Sequence, residues 1–177
     1  MDPLRLYNYL ATARERIFDG VRPIEDSAYR REFGIGLGSL ARTLHHCRGA
    51  EIMYMRRICG ERGVPRVVSP TDDPEVTSGD ALAFLDLERS WRETASATLR
   101  GLEEATGDGW MKPERIESVW EGRAFVYEAS PADFFSQLVV HEVHHRAQAM
   151  QMLRRLGVSV GEIDFSTLMF LPELPDS

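Results

Sequence analysis

The sequence has few of the features that mark membrane or secreted proteins. No stretch approaches the roughly 18 consecutive apolar residues that a membrane-spanning helix requires. The first residues, MDPLRLYNYL, contain no basic region followed by an apolar core and a cleavage site of small residues. We therefore expect a cytoplasmic protein without a membrane partner.

The sequence also has fewer basic residues than acidic ones. Lys and Arg together number 21 against 28 for Asp and Glu, which gives a formal net charge of −7. Affinity for nucleic acids depends on cationic side chains that neutralise phosphates. The composition therefore argues against a nucleic-acid partner.

Cysteine is scarce, and its two copies cannot pair within the predicted structure. Cys47 and Cys59 fall in one predicted helix, about 18 Å apart at 1.5 Å of rise per residue, which is too far for a disulfide. Stability must come from a hydrophobic core, and a chain of 177 residues with 43% hydrophobic residues has the size and composition of one globular domain. We expect residues 1–177 to form a single domain with both thiols free.

Apolar residues recur at helical spacing in four segments, and start signals such as Ser130-Pro131 precede some of them. The predicted helices cover residues 3–19, about 38–59, about 80–105 and 130–156. Residues 107–129 form a crossover with a weak hairpin. The pattern predicts an all-α protein, a four-helix bundle with a long crossover between its third and fourth helices, and bundles hold metal sites in their cores.

The five histidines of the chain lie in two clusters, His45 and His46 on the second predicted helix and His141, His144 and His145 on the fourth. At 100° per residue, His145 lies 40° from His141 on the apolar stripe, whereas His144 lies off it and is predicted to be a surface residue. Unpaired buried polar groups cost about 1 to 3 kcal/mol each. A shared cation would satisfy both buried imidazoles, so His141 and His145 are candidate metal ligands.

A catalytic zinc site usually has three protein ligands, and the second helix can supply the third. His45 and His46 are 100° apart, so one of them should face the site. His46 lies off the leucine stripe of its helix, and periodicity does not choose between the two.

Residues around the histidines could orient them, because metal-bound imidazoles usually donate their other N–H to a carboxylate or carbonyl. Glu142 and Gln148 are candidates, and Gln148 is the better placed of the two because it lies on the apolar stripe. Arg146 points away from the stripe and is predicted to form a solvated salt bridge. Asp164 could close over the site from the tail or cap the surface there.

The string His141-Glu142-Val143-His144-His145 also matches the zincin pattern of metalloproteases, with Glu142 as general base and a downstream acid completing the zinc site. The chain shows no clear strands that could bind an extended peptide. This interpretation also leaves His45 and His46 unexplained. A zincin-type hydrolase is therefore a remote alternative.

Two strings, residues 38–46 (GSLARTLHH) and residues 141–148 (HEVHHRAQ), together resemble the DinB/YfiT-like superfamily. The resemblance implies His46, His141 and His145 as metal ligands and makes His144 a spacer. Asp164 falls where members often carry an Asp. One departure is Ala147, where the common form of the motif has Gly; the change is from small to small and should leave the site intact.

The resemblance implies a metal-dependent enzyme that uses a low-molecular-weight thiol, such as glutathione, mycothiol or bacillithiol. Such an enzyme would be an S-transferase that acts on small electrophiles, or an isomerase. The resemblance also implies a homodimer. An all-imidazole site suits Zn, Ni or Fe and does not identify the metal. A non-enzymatic protein in which the ion ties the second helix to the fourth is the alternative, and no catalytic residue is assigned.

Overall fold

The computed structural model describes residues 2–60, 82–120 and 123–170. Its elements in chain order are α1 Pro3–Val21, α2 Asp26–Tyr29, α3 Leu40–Ile58, α4 Phe84–Ala105, β1 Glu114–Trp120, β2 Arg123–Ala129, α5 Pro131–Arg155 and α6 Phe165–Met169. The four long helices occupy the four predicted segments. The third begins at Phe84, four residues later than predicted.

Side-chain caps explain where three of the long helices begin. The Asp2 carboxylate accepts a hydrogen bond from the backbone of Leu4, and Ser39 accepts one from Arg42. At α5, Ser130 and Asp133 form a reciprocal capping box. These bonds satisfy backbone N–H groups that have no partner within a helix, so they fix the first turn of each.

The long helices form a closed ring, since α1 and α3 each pack against both α4 and α5. The predicted hairpin is present: β1 and β2 pair antiparallel, with Glu114 opposite Ala129, and β2 contacts α5. Over the residues that the structure describes, the protein is therefore all-α apart from this two-stranded sheet, as predicted. In the described part of the chain, no helix is long and apolar enough to cross a membrane.

Both cysteines are free, as their spacing predicted. Cys47 is buried, and burial raises the pKa of its thiol well above the usual value. The thiol is therefore protonated at neutral pH and behaves as a small apolar side chain.

A buried carboxylate connects three of the four long helices. Glu51 on α3 is fully buried. Its Oε1 accepts from the Tyr7 hydroxyl and from the Thr98 hydroxyl (2.6 Å), and its Oε2 accepts from Arg14 Nη2 (2.8 Å) and Trp91 Nε1 (2.7 Å). All four lone-pair directions are thus used, as a buried charge requires.

The same arginine extends the connection to the fourth long helix. Arg14 donates to both oxygens of Glu142 on α5, from Nε at 3.2 Å and from Nη2 at 2.8 Å. Burial alone would lower the pKa of Arg14, but Glu142 and Glu51 raise it above its ordinary value, so the side chain is a fixed cation. One guanidinium therefore joins α1 to both α3 and α5.

We expect Glu51→Gln to lower the free energy of unfolding by about 3 to 5 kcal/mol, because it leaves buried charge and donors without their partner. The matched control is Glu15→Gln: Glu15 pairs with Arg92 at 2.8 Å, but its side chain is 42% exposed, so the loss should be below about 1 kcal/mol. Urea denaturation of both variants checks this. Equal losses in the two variants would show that the buried network stabilises the fold no more than an exposed ion pair does.

Candidate metal centre

Three imidazoles converge between α3 and α5. His46 Nε2 lies 2.9 Å from His141 Nε2, and one ring nitrogen from each of His46, His141 and His145 lies within 4.8 Å of the others. The ring centroids of the three pairs are 4.4 to 4.7 Å apart. The structure thus brings together the three histidines that the resemblance implied.

The packing of α3 explains why periodicity could not choose between His45 and His46. This helix is buried on nearly every side, so both histidines are buried, at 3% and 9% exposure. An apolar stripe marks the core side of a half-exposed helix, but a helix in contact with two neighbours has no single core side. Only His46 belongs to the cluster with His141 and His145.

Burial favours the uncharged form of two of the three imidazoles, His141 and His145. It lowers the pKa of His141 to about 3, with a further contribution from the proximity of His145 and His46. Burial also lowers the pKa of His145, against the opposing effect of its hydrogen bond to Gln148. Neutral imidazoles are the form that binds metals, so the ligand form is present at neutral pH.

Gln148 orients His145, as its place on the apolar stripe suggested. His145 Nδ1 donates to Gln148 Oε1 at 2.9 Å, which leaves the lone pair on Nε2. The amide nitrogen of Gln148 donates to Nε2 of His144, also at 2.9 Å. His144 itself is exposed and lies outside the triad, which confirms its prediction as a surface residue.

A glycine in the loop before α3 makes room for Gln148. Gly36 has a positive φ of 51°, and a Cβ at this position would lie 2.2 Å from Gln148 Oε1. The loop therefore closes directly onto the amide that holds His145. Sequence reasoning did not single out Gly36, because its importance comes from a residue more than a hundred positions away.

The other residues that the sequence suggested as partners of the histidines make different contacts. The contacts of Glu142 are with Arg14 rather than with an imidazole, and burial raises the pKa of its carboxyl. Asp164 is exposed at the start of α6 and makes no side-chain cap there.

The prediction of a solvated Arg146 is wrong: this side chain is 7% exposed, donates to the Tyr9 hydroxyl at 2.6 Å and lies over the Tyr9 ring. A helix between two neighbours buries residues well off its apolar stripe.

Comparison with known proteins agrees with this geometry. The model of the DinB family matches residues 1–173, almost the whole chain. The chain belongs to the DinB family. Neither a comparison with curated proteins nor one with solved structures gives a significant match.

The triad of this DinB protein fits a divalent metal. Zinc bound tetrahedrally by imidazoles at 2.0 to 2.1 Å needs ligand nitrogens about 3.4 Å apart, which lies between the 2.9 Å that separates His46 Nε2 from His141 Nε2 and the 4.8 Å limit for the whole triad. Three neutral nitrogen donors on two rigid helices meet that requirement with small side-chain adjustments. Three protein ligands would leave room for further ligands from solution.

Gly36→Ala should weaken metal binding about 10- to 100-fold, because the new methyl group displaces Gln148 from His145. Gly34→Ala is the matched control: Gly34 also has a positive φ, 62°, but a Cβ there would contact nothing within 4 Å. Competition with a chromophoric chelator measures both affinities. Equal affinities for the two variants would show that backbone strain, and not Gln148, accounts for any loss.

Stability of the metal-free protein should depend on pH through His141. Its folded pKa of about 3 lies below the unfolded value of about 6.5, so below pH 6.5 the unfolded state binds a proton that the folded state does not. This contribution to stability is complete above pH 6.5 and is lost as pH falls towards 3. Between pH 7 and pH 5, in chelator, wild type should lose about 1 to 2 kcal/mol more than His141→Gln. Parallel losses in urea denaturation would contradict this.

Proposed function

We propose that this DinB protein binds one divalent metal ion through His46, His141 and His145 and transfers a low-molecular-weight thiol to a small electrophile. The observation that supports it is the convergence of three imidazoles from two facing helices, of which His46 and His145 are buried and His141 is half-buried. The donor set suits Zn, Ni or Fe. A coordinated divalent cation lowers the pKa of a thiol, so it would supply the thiolate at neutral pH.

The chemistry of the transfer is a substitution at carbon. The thiol gives up its proton to solvent, the sulfur forms a bond to the electrophilic carbon, and the leaving group departs with the electron pair of the bond that breaks. Gln148 holds the His145 lone pair on Nε2 throughout. The buried Tyr54 on α3 holds its ring 6.2 Å from the ring of His141.

Zincin-type hydrolysis has less support. It needs the carboxylate of Glu142 beside the ion as a general base, whereas that carboxylate is buried and accepts from Arg14 at both oxygens.

A purely structural role for the ion is the other candidate from the sequence. The buried network of Glu51, Arg14 and Glu142 already joins α3 to α5 through α1. A metal would therefore add to a connection that exists without it. The existing connection favours a chemical role for the ion, in which the coordination positions that the three histidines leave open bind a thiol.

Metal content tests the site. We expect about one ion per chain in the wild type, with severe loss in His46→Ala, His141→Ala and His145→Ala. His144→Ala is the matched control, because it removes an imidazole from the same helix that lies outside the triad. Elemental analysis of the purified proteins gives the result, and wild-type content in the three ligand variants would refute the site.

Cobalt substitution separates binding from chemistry. Added thiol should produce a sulfur-to-cobalt charge-transfer band, and turnover of an electrophile should disappear with chelator and return with metal. A chelator that lowers the melting temperature without any thiol band or turnover would leave the structural role as the correct one.

The homodimer stays a prediction, which the molar mass in solution decides.

A further inference from the structure

One long side of α5 is exposed along nearly the whole helix. α3 packs on the side that carries the triad, while Arg14 and Tyr9 of α1 bind Glu142 and Arg146 on a second side. We call the remaining, exposed side the outer face of α5. Its members are Asp133, Ser136, Gln137, Val140, Val143, His144, Ala147, Gln151 and Arg154.

The composition of the outer face differs from that of a solvated helix surface. Between its two end residues it carries no Asp, Glu, Lys or Arg, although these four types make up 28% of the chain. Val140 and Val143 are 63% and 41% exposed, and Ala147 continues the same row one turn later. Exposed neighbouring apolar residues and a centre depleted of charge are typical of protein–protein interfaces.

The two ends of the outer face carry opposite charges. Asp133 lies in the first turn of α5 and Arg154 in the last. Hydrogen bonds from Ser130 lower the pKa of Asp133, so its carboxylate is ionised at neutral pH. These bonds use Oδ2, so Oδ1 can accept from a further donor. A partner that fits this face therefore has a cation at one end, an anion at the other and an uncharged centre.

We propose that the outer face binds the outer face of a second copy of this chain, with the two α5 helices antiparallel about a two-fold axis between Val143 and His144. Positions equally far from the axis then lie opposite each other. The opposed pairs are Asp133 with Arg154, Ser136 with Gln151, and Val140 with Ala147.

The charges at the ends select both the occupant and its direction. Each copy supplies one cation and one anion, so an antiparallel pair forms the Asp133–Arg154 ion pair twice, as an isologous interface requires. A parallel pair would set like charges beside each other at both ends. The net charge of −7 opposes the approach of two copies elsewhere on their surfaces, which leaves this face as the favoured place of contact.

Val140→Asp tests the face by sedimentation equilibrium. Wild type should be a dimer, and the variant should have a Kd about 100-fold higher, because an unpaired carboxylate is buried on both sides of the axis. The exposure of Val140 leaves the fold of the monomer undisturbed by this change. The matched control is Leu85→Asp: Leu85 is 64% exposed but lies on α4, whose neighbours in the ring are α1 and α3, so its Kd should equal that of wild type.

Charge reversal tests the ion pairs at the ends. Arg154→Glu should raise the Kd about tenfold or more at low salt, and high salt should reduce the difference from wild type, because exposed charges are screened. Arg100→Glu, an exposed arginine on α4, makes the same change of net charge away from the interface and should have little effect. Equal effects of the two reversals would overturn the proposed register.

Distances between spin labels test the direction. Cys59 is exposed and is first replaced by Ser, after which Ser136→Cys carries the label. In the antiparallel dimer two labels at Ser136 lie about 22 Å apart along the axis, at 1.5 Å of rise per residue. A mixture of Ser136→Cys and Gln151→Cys proteins should add a distance of about 10 Å, the spacing of packed helices. A parallel pair would exchange these two distances.

The outcomes are separable from those of the proposed function, on which this inference does not depend. A wild-type monomer, or a dimer that Val140→Asp leaves intact, would overturn the interface. Monomeric Val140→Asp with about one ion per chain would support it, because the triad is then unaffected. A missing thiol band in a cobalt protein that is still dimeric would overturn thiol transfer and leave the interface standing.

Discussion

Four hydrogen bonds converge on the carboxylate of Glu51 in the centre of the bundle, and one of their donors, Arg14, also holds Glu142. Removing a carboxylate from water costs several kcal/mol unless every lone pair finds a donor, so the bonds must all form together. They come from α1 and α4, while Glu51 lies on α3. A shift of any of these helices by one turn would leave a buried charge unsatisfied, and this restricts the bundle to one register.

This constraint also positions the candidate metal centre. Glu142 follows His141 directly, so the bond to Arg14 fixes the rotation of α5 about its axis from one side. On the other side, Gly36 allows the loop to press on Gln148, which bonds His145. With α5 held on both sides, His141 and His145 face His46 across a short gap. The triad is therefore preorganised by groups that lie outside it.

The sequence predicted the elements of the fold well because local signals determine them. Apolar periodicity and the start signal Ser130-Pro131 placed the long helices. The pair His141 and His145 also followed from local geometry, since residues four apart on a helix share a face. The choice of His46 over His45 did not follow; it came from the family pattern, because both lie on a helix buried on almost every side.

What the sequence by itself determined is thus the four long helices, the free cysteines and one pair of neighbouring imidazoles, all of which depend on local spacing along the chain. Only the tertiary structure decided the rest. Arg146 lies off the apolar stripe and is nevertheless buried against Tyr9, and Gly36 matters because of Gln148. The Glu51 network joins residues up to 128 positions apart. Such partners meet only after the helices pack, and no local pattern records which charges will be buried together.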